Sequence, residues 1–295
     1  MPNLSNSTIT ILGLGLIGGS IAKALKESAP QATLVGYDSD QEALALALAE
    51  QVVDRTGDLK ECLKVADIVI LALPPVLIAE IIPKLPALIN ERAVITDVAS
   101  VKNIVSASVK QTPEAFQARF VLGHPIAGSE RRGYSASNKA LFVNRKVILS
   151  TVHSNLESSI SAVRELWQLV GAEVLELDLN SHDKILAATS HLPHMLAYAL
   201  VEVLAEQKEV DDIFLYAAGG FADFSRLASS DPGMWSEIFA SNASETDKVL
   251  DFFIEKLIEL KELVKAENRH ELLFRFKAAK AARESFIQNH YKIND

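Results

Sequence analysis

The run Gly13-Leu14-Gly15-Leu16-Ile17-Gly18 directly follows the apolar strand signal Thr8 to Leu12 and opens a helical pattern at 17–28. Three glycines in that spacing, between a strand and a helix, leave few folds open. Gly13 permits the tight turn, Gly15 lets a bound phosphate approach the backbone, and Gly18 lets the helix lie close on the strand. Leu16 and Ile17 complete the loop, where the first N–H groups of the helix face that phosphate. Twenty residues beyond Gly18, Asp38 ends the next apolar run, Leu34-Val35-Gly36-Tyr37. A carboxylate there accepts from a ribose 2′-hydroxyl and repels a 2′-phosphate. No Arg or Lys falls between Asp38 and Glu50 to neutralise that phosphate. The residues therefore predict a dinucleotide site that favours NAD over NADP.

The pattern around this loop is that of a βαβ array. Strands are predicted near 8–12, 33–37, 67–73, 93–97, 119–123, 146–150 and 173–178, with helices at 17–28, 41–50, 76–88, 101–111 and 156–170. From Asn180 onward the strand signals stop. The expected architecture is α/β: a Rossmann-like, doubly wound, mainly parallel sheet over 1–178, followed by an all-helical domain over 179–295. Asn180 and Ser181 are candidate N-caps of a helix running to about Gln207, with a kink at Pro193. Further helices fit 211–218, 234–265 and 268–289. Leu250, Phe253, Ile254, Leu257, Ile258 and Leu260 recur at helical spacing, and Leu272, Leu273 and Phe276 follow. Such a stripe is either packed core or a subunit interface.

In doubly wound sheets the ligand lies beyond the carboxyl ends of the strands, so the residues at those ends are the candidates for chemistry. Leu73-Pro74-Pro75 follows the third strand, where a proline turn can pass under the adenine-ribose side. Asp97-Val98-Ala99-Ser100-Val101-Lys102 closes the fourth strand. Ser100 is either the N-cap of the next helix or a hydroxyl near the nicotinamide, and both hold only if another group makes the cap. His124 stands at the mouth of the strand Phe120-Val121-Leu122-Gly123, followed at once by Pro125. It is expected outside the core, aimed at whatever lies above the sheet, where a nicotinamide would face a proton acceptor.

In the helical half, Ser190-His191-Leu192-Pro193-His194 stands out. His191 reads as a structural histidine. His194, one turn beyond Ser190 on the same face, is either structural or a ligand group. A His-x-x-x-His pair can bind zinc, but Pro193 disturbs the spacing and no third ligand is evident, so no metal is expected. Gly219-Gly220-Phe221-Ala222-Asp223-Phe224-Ser225-Arg226 brings an arginine to a glycine-rich bend. Asp223 and Arg226 either form a surface pair, or Arg226 holds a carboxylate with its fork of donors.

Composition removes several classes. A net charge of −9 argues against nucleic acid as a partner. The longest apolar run, Ile68 to Ala79, is too short to span a bilayer and is interrupted by Pro74 and Pro75, so no membrane association is expected. Cys62 is the only cysteine, and the polar first residues lack an export signal, so a cytoplasmic enzyme is expected.

Taken together, these segments resemble the prephenate/arogenate dehydrogenase family of tyrosine biosynthesis. The resemblance rests on the glycine loop, the segment Asp97–Lys102, Gly123-His124-Pro125-Ile126-Ala127-Gly128, Ser190–His194 and Gly220–Arg226, and it covers nearly the whole chain. It implies an NAD-dependent oxidative decarboxylation of prephenate to 4-hydroxyphenylpyruvate, with arogenate as the alternative substrate, and a homodimer built through the helical domain. It also implies that His124 acts on the substrate hydroxyl with Ser100 beside it, and that Arg226 holds a substrate carboxylate. By the same likeness Glu130, Ser190 and His194 line the pocket, and Trp235 reaches toward the partner subunit's site. No separate regulatory domain is expected within this chain. The competing expectations are a β-hydroxyacid or imine-reducing dehydrogenase, which shares only the glycine loop, and a non-catalytic NAD-sensing module, which leaves His124, Ser100 and Arg226 without a task.

Overall fold

The computed structural model describes residues 4–129, 131–152, 154–207 and 213–290. The chain forms two compact units, Met1–Glu245 and Thr246–Asp295. In the first unit, β1 (Thr8–Leu12), α1 (Leu16–Ser28), β2 (Thr33–Tyr37), α2 (Gln41–Ala49), β3 (Arg55–Thr56) and α3 (Leu59–Lys64) come first. They are followed by β4 (Ile68–Leu71), α4 (Pro75–Ile81), β5 (Val94–Asp97), α5 (Asn103–Val109) and α6 (Glu114–Gln117). Next come β6 (Phe120–Pro125), β7 (Lys146–Ser150), α7 (Glu157–Leu169) and β8 (Glu173–Glu176). The strands form one sheet in the order β3-β2-β1-β4-β5-β6-β7-β8, parallel throughout except for the β6–β7 pair.

The strand sequences explain this arrangement. Every residue of β4 is buried, as both faces of a parallel sheet are covered by helices. Successive side chains alternate between those faces. Ile68 and Ile70 join Ile9, Ile11, Leu34 and Trp167 in one core cluster, while Val69 and Leu71 join Leu12, Ile95 and Leu122 in the other. Because β1, β4, β5 and β6 run parallel, their carboxyl ends fall on one edge, and Gly13, Leu73, Asp97 and His124 lie there.

The predicted strands are found, with ends shifted by a few residues. The two-residue β3 and the short α3 and α6 escape the periodicity reading, being too brief to show a period. The helix expected over 76–88 is α4 followed by a 3-10 turn at Ile82–Ala87, since Pro83 and Pro86 cannot donate to a regular helix.

The helical part also departs from expectation in detail. Helix α8 (Leu179–Leu186) is capped by Asp178, not by Asn180 or Ser181: the Asp178 carboxylate accepts from the Ser181 N–H at 3.1 Å. In place of a simple kink at Pro193, a π-helical turn over Ala187–His191 absorbs the missing donor before α9 (Leu192–Ala205). The helix expected at 211–218 is, among the described residues, a 3-10 turn at Ile213–Tyr216. Gly219 opens α10 (Gly219–Ser225) instead of breaking a helix. The stretch 234–265 is two helices, α11 (Pro232–Ser241) and α12 (Ala243–Lys265), interrupted at Asn242. Helix α13 (Arg269–His290) follows.

In the second unit α12 and α13 are joined by Arg275, which pairs with Glu259 at 2.6 Å and Glu271 at 3.0 Å. The apolar stripe there is not a core within this chain. Leu250, Leu260 and Leu272 are half-buried, while Ile254, Leu257, Ile258, Leu273 and Phe276 are exposed. Among the described residues no helix is long and apolar enough to cross a membrane.

Candidate active site

The glycine loop has the geometry a dinucleotide requires. Gly13 has φ +95, and a side chain there would overlap the Ala72 carbonyl of the neighbouring strand's exit. A Cβ on Gly18 would overlap the Gly13 carbonyl, so only glycine lets α1 lie this close to the turn. At Gly15 a Cβ would meet nothing within 4 Å, which leaves open space in front of the backbone. No side chain caps α1, so its first N–H groups face that space. Asp38, half-buried at the end of β2, accepts from the Leu14 N–H at 2.6 Å and so ties itself to the loop. Leu73 packs beside the second core cluster, and Pro74 stands exposed at the start of α4.

His124 is the penultimate residue of β6, inside the strand and only 8% exposed. The expectation that it sits outside the core is corrected here. The ladder with β7 continues past it to Pro125↔Val147, and His182 of α8 covers its ring. Its Nδ1 lies 3.0 Å from His182 Nε2, and His182 Nδ1 lies 2.7 Å from Asp183 Oδ1. Asp183 in turn accepts from the backbone N–H of Lys102 and of Asn103, each at 2.8 Å. These bonds cap α5, so Ser100 does not. The half-buried Ser100 hydroxyl is thereby released from capping.

Below this array sits a buried ion pair. Lys102 and Asp97 are both wholly buried and in direct contact, and Lys102 Nζ also donates to the Gly123 carbonyl at 2.6 Å. Asp97 Oδ1 accepts from the Gly123 N–H at 3.1 Å. A Cβ on Gly123 would crowd the Asp97 carbonyl, so glycine is needed where β6 meets the end of β5. The residue before His124 is thus clamped on both its backbone groups.

Electrostatics follow from burial. Burial holds the His124 imidazole well below the ordinary histidine range, helped by nearby His182, Lys102 and His191. Burial also lowers His182, against the pull of Asp183. At Asp183 burial works upward, but the bonds from His182, Lys102 and Asn103 outweigh it and leave the carboxyl below its usual range. His191, in the π-turn and bonded to Asn242 at 3.2 Å, is pushed down to about 4, chiefly by burial. Burial lowers His194 too, with Arg226 close enough to add to the effect.

Of the other predicted positions, His194 donates from Nδ1 to the Ser190 carbonyl at 2.9 Å, and its ring stacks on Trp235 at 3.7 Å. Ser190 lies in the π-turn. Trp235 is buried in the single chain. It is 6% exposed and held within its own chain between His194 and Phe239, because an indole gains most by burying its flat face on another ring. Arg226 is exposed, at the start of a 3-10 turn after α10. Glu130 lies outside the described residues.

His182, Asp183 and Lys102 are absent from the candidates drawn from the sequence. One signal does mark the first two. The buried face of α8 is Leu179, His182, Asp183 and Leu186, so a histidine and a carboxylate occupy stripe positions where leucines belong.

Residues 21–176 match the family model for the prephenate dehydrogenase nucleotide-binding domain, and residues 178–278 that for the prephenate dehydrogenase dimerization domain. The chain belongs to the prephenate dehydrogenase family. Among curated members, the cyclohexadienyl dehydrogenase of Zymomonas mobilis is 32% identical over 96% of this chain and 97% of its own length. The prephenate dehydrogenase of Bacillus subtilis is 34% identical, over 96% of this chain and 76% of its own. Among solved members, the prephenate dehydrogenase from A. aeolicus in complex with hydroxyphenyl propionate and NAD+ is 35% identical with a TM-score of 0.88, covering 96% of this chain and 99% of that one. The family match across both halves displaces the β-hydroxyacid and imine dehydrogenase expectation, and with it the NAD-sensing module.

Proposed function

We propose that the protein catalyses the NAD-dependent oxidative decarboxylation of prephenate to 4-hydroxyphenylpyruvate, with arogenate as a further substrate. The observation that carries this reading is a buried, neutral imidazole, His124, at the same sheet edge as a glycine loop built for a dinucleotide. Bound NAD+ supplies the acceptor for the hydride that leaves C4 of the substrate ring. The chain's own task is to place the ring and to handle one proton. Gly13, Gly15, Leu16, Ile17 and Gly18 with the start of α1 hold the cofactor's phosphates, Asp38 its ribose hydroxyls, and Leu73 and Pro74 border the adenine side. His124 takes the proton from the C4 hydroxyl as the C–H bond breaks, so that a carbonyl forms at C4. Loss of the ring carboxylate as CO2 leaves its electron pair in the ring, and the resulting phenolate recovers the proton. Aromatisation drives the sequence forward, so positioning is most of what the protein contributes.

Ser100, which does not cap α5, hydrogen-bonds the reacting hydroxyl together with His124. Arg226 binds a carboxylate and His194, with its ring fixed against Trp235 and Ser190 behind it, binds another polar group of the substrate. The nucleotide-binding part is placed at 1–178 and the substrate-binding and dimerising part at 179–295. The protein works as a homodimer through α12 and α13, in the cytoplasm, where a single buried thiol at Cys62 needs no disulfide partner. The decisive experiment is turnover of prephenate with NAD+, followed at the absorbance of reduced nicotinamide, with arogenate measured alongside. Reduction of NAD+ with either substrate supports the reading, and none with both removes it.

A further inference from the structure

The bonds around His182 determine where each proton of the array resides. An ionised carboxylate can only accept, and Asp183 already accepts from the backbone N–H of Lys102 and Asn103. The proton between Asp183 and His182, whose atoms are 2.7 Å apart, therefore sits on His182 Nδ1. A neutral imidazole carries one N–H, so His182 Nε2 is a lone pair. His124 Nδ1 faces that lone pair at 3.0 Å and must carry the hydrogen. The opposite arrangement would set a nitrogen lone pair against the carboxylate inside a dry region, a buried contact that proteins avoid.

We propose that His182 and Asp183 are positioning residues that lock His124 in its Nδ1–H tautomer, so that Nε2 presents a lone pair to the substrate hydroxyl. The proposal rests on His124 being the proton acceptor. In the reaction the substrate O–H breaks and an N–H forms at His124 Nε2. The Nδ1–H stays in place, and Asp183 balances the new charge without taking up a proton. The device runs across three elements: the backbone at the start of α5 fixes Asp183, α8 carries the relay, and the end of β6 receives it.

The test begins with nitrogen NMR of the full-length protein carrying 15N-labelled histidine, at neutral pH and without substrate. His124 is assigned by its absence from the His124→Asn spectrum. The expected result is a protonated Nδ1 and a lone-pair Nε2. Asp183→Asn removes the charge that fixes the His182 proton on Nδ1, so that His124 Nε2 is no longer held as a lone pair. For that variant kcat should fall by about 10²–10⁴, as when a wrong tautomer is imposed on a catalytic histidine, with the Kd for NAD+ nearly unchanged. His182→Gln keeps an oxygen for the His124 N–H and an amide N–H for Asp183, so it should retain far more activity than His182→Leu. That comparison stands even if loss of the α5 cap unfolds Asp183→Asn. An Nε2–H on His124 in the unaltered protein overturns the proposal, as does His182→Gln no better than His182→Leu. A lone-pair Nε2 in a protein that turns over neither prephenate nor arogenate supports the tautomer lock while removing the functional reading.

Discussion

His124 is where burial and catalysis meet in a single side chain. Its pKa is held well below 6.5 by burial first and by His182, Lys102 and His191 next, so it is neutral and ready to accept at neutral pH. Protonation, and with it loss of kcat/KM, is therefore expected only below the ordinary imidazole value. His124→Asn keeps a polar group of similar size but removes the acceptor. We expect kcat to drop by about 10²–10⁴ with NAD+ affinity nearly unchanged, and the acid limb to vanish. A variant that keeps the limb would assign it to another group. Arg226→Ala should act differently, raising KM for prephenate by an amount worth on the order of 2–5 kcal/mol while sparing cofactor affinity. An unchanged KM would take Arg226 out of substrate capture. At this scale the sequence was informative where a residue type has few uses, as with a histidine after a glycine at a strand end. It marked His182 and Asp183 only as polar residues in an apolar stripe, because their meaning comes from contacts far along the chain, such as His182 with His124 58 positions away.

Elements decide what such residues can reach. The glycine loop was legible because three positions with different physical demands recur at fixed spacing, and in the fold a Cβ at Gly13 or Gly18 would overlap a carbonyl while Gly15 faces open space. The strands were legible because β4 and its neighbours are short apolar runs. Caps and turns were not, since Asp178, Asn180 and Ser181 are all competent N-caps and only the packing of α8 selects among them. Asp38 belongs to this scale, because its place at the end of β2 and its bond to Leu14 set what ribose it accepts. Replacing Asp38 by Ser together with Ser39 by Arg should shift the ratio of kcat/KM toward NADP+, whereas equal use of both cofactors by the unaltered protein would refute the role. The π-turn carries a different consequence. His191 is neutral in the fold down to about pH 4, while an unfolded chain protonates it near 6.5. Its stabilising contribution is full above the unfolded value and is lost as pH falls, by about 3 kcal/mol on reaching pH 4. His191→Gln should flatten the fall in urea midpoint between neutral pH and pH 5, and an equally steep fall would place the proton uptake elsewhere.

The whole molecule leaves one apolar account open. In the second unit Phe252, Ile258, Val264, Phe274 and Phe276 are each more than half exposed in a single chain, at 60%, 55%, 63%, 65% and 57%. Scattered exposed leucines need no explanation, but aromatic and branched side chains exposed this densely along two long helices are what an association would cover. The half of the chain that carries them matches a dimerization domain. A second copy related by a two-fold axis would offer the same surface in return, which is what an isologous interface requires. Charged side chains placed at contacting positions would be buried without partners, at a cost an interface cannot absorb. The double substitution Ile258→Asp with Phe274→Asp should therefore convert a dimer into a monomer in sedimentation velocity at micromolar concentration. Circular dichroism separates this from unfolding, because both sites are exposed within one chain and the helical signal of a monomer should persist. If the unaltered protein sediments as a monomer, or the double variant as an unaltered dimer, α12 and α13 do not form the interface and their apolar face awaits a different partner.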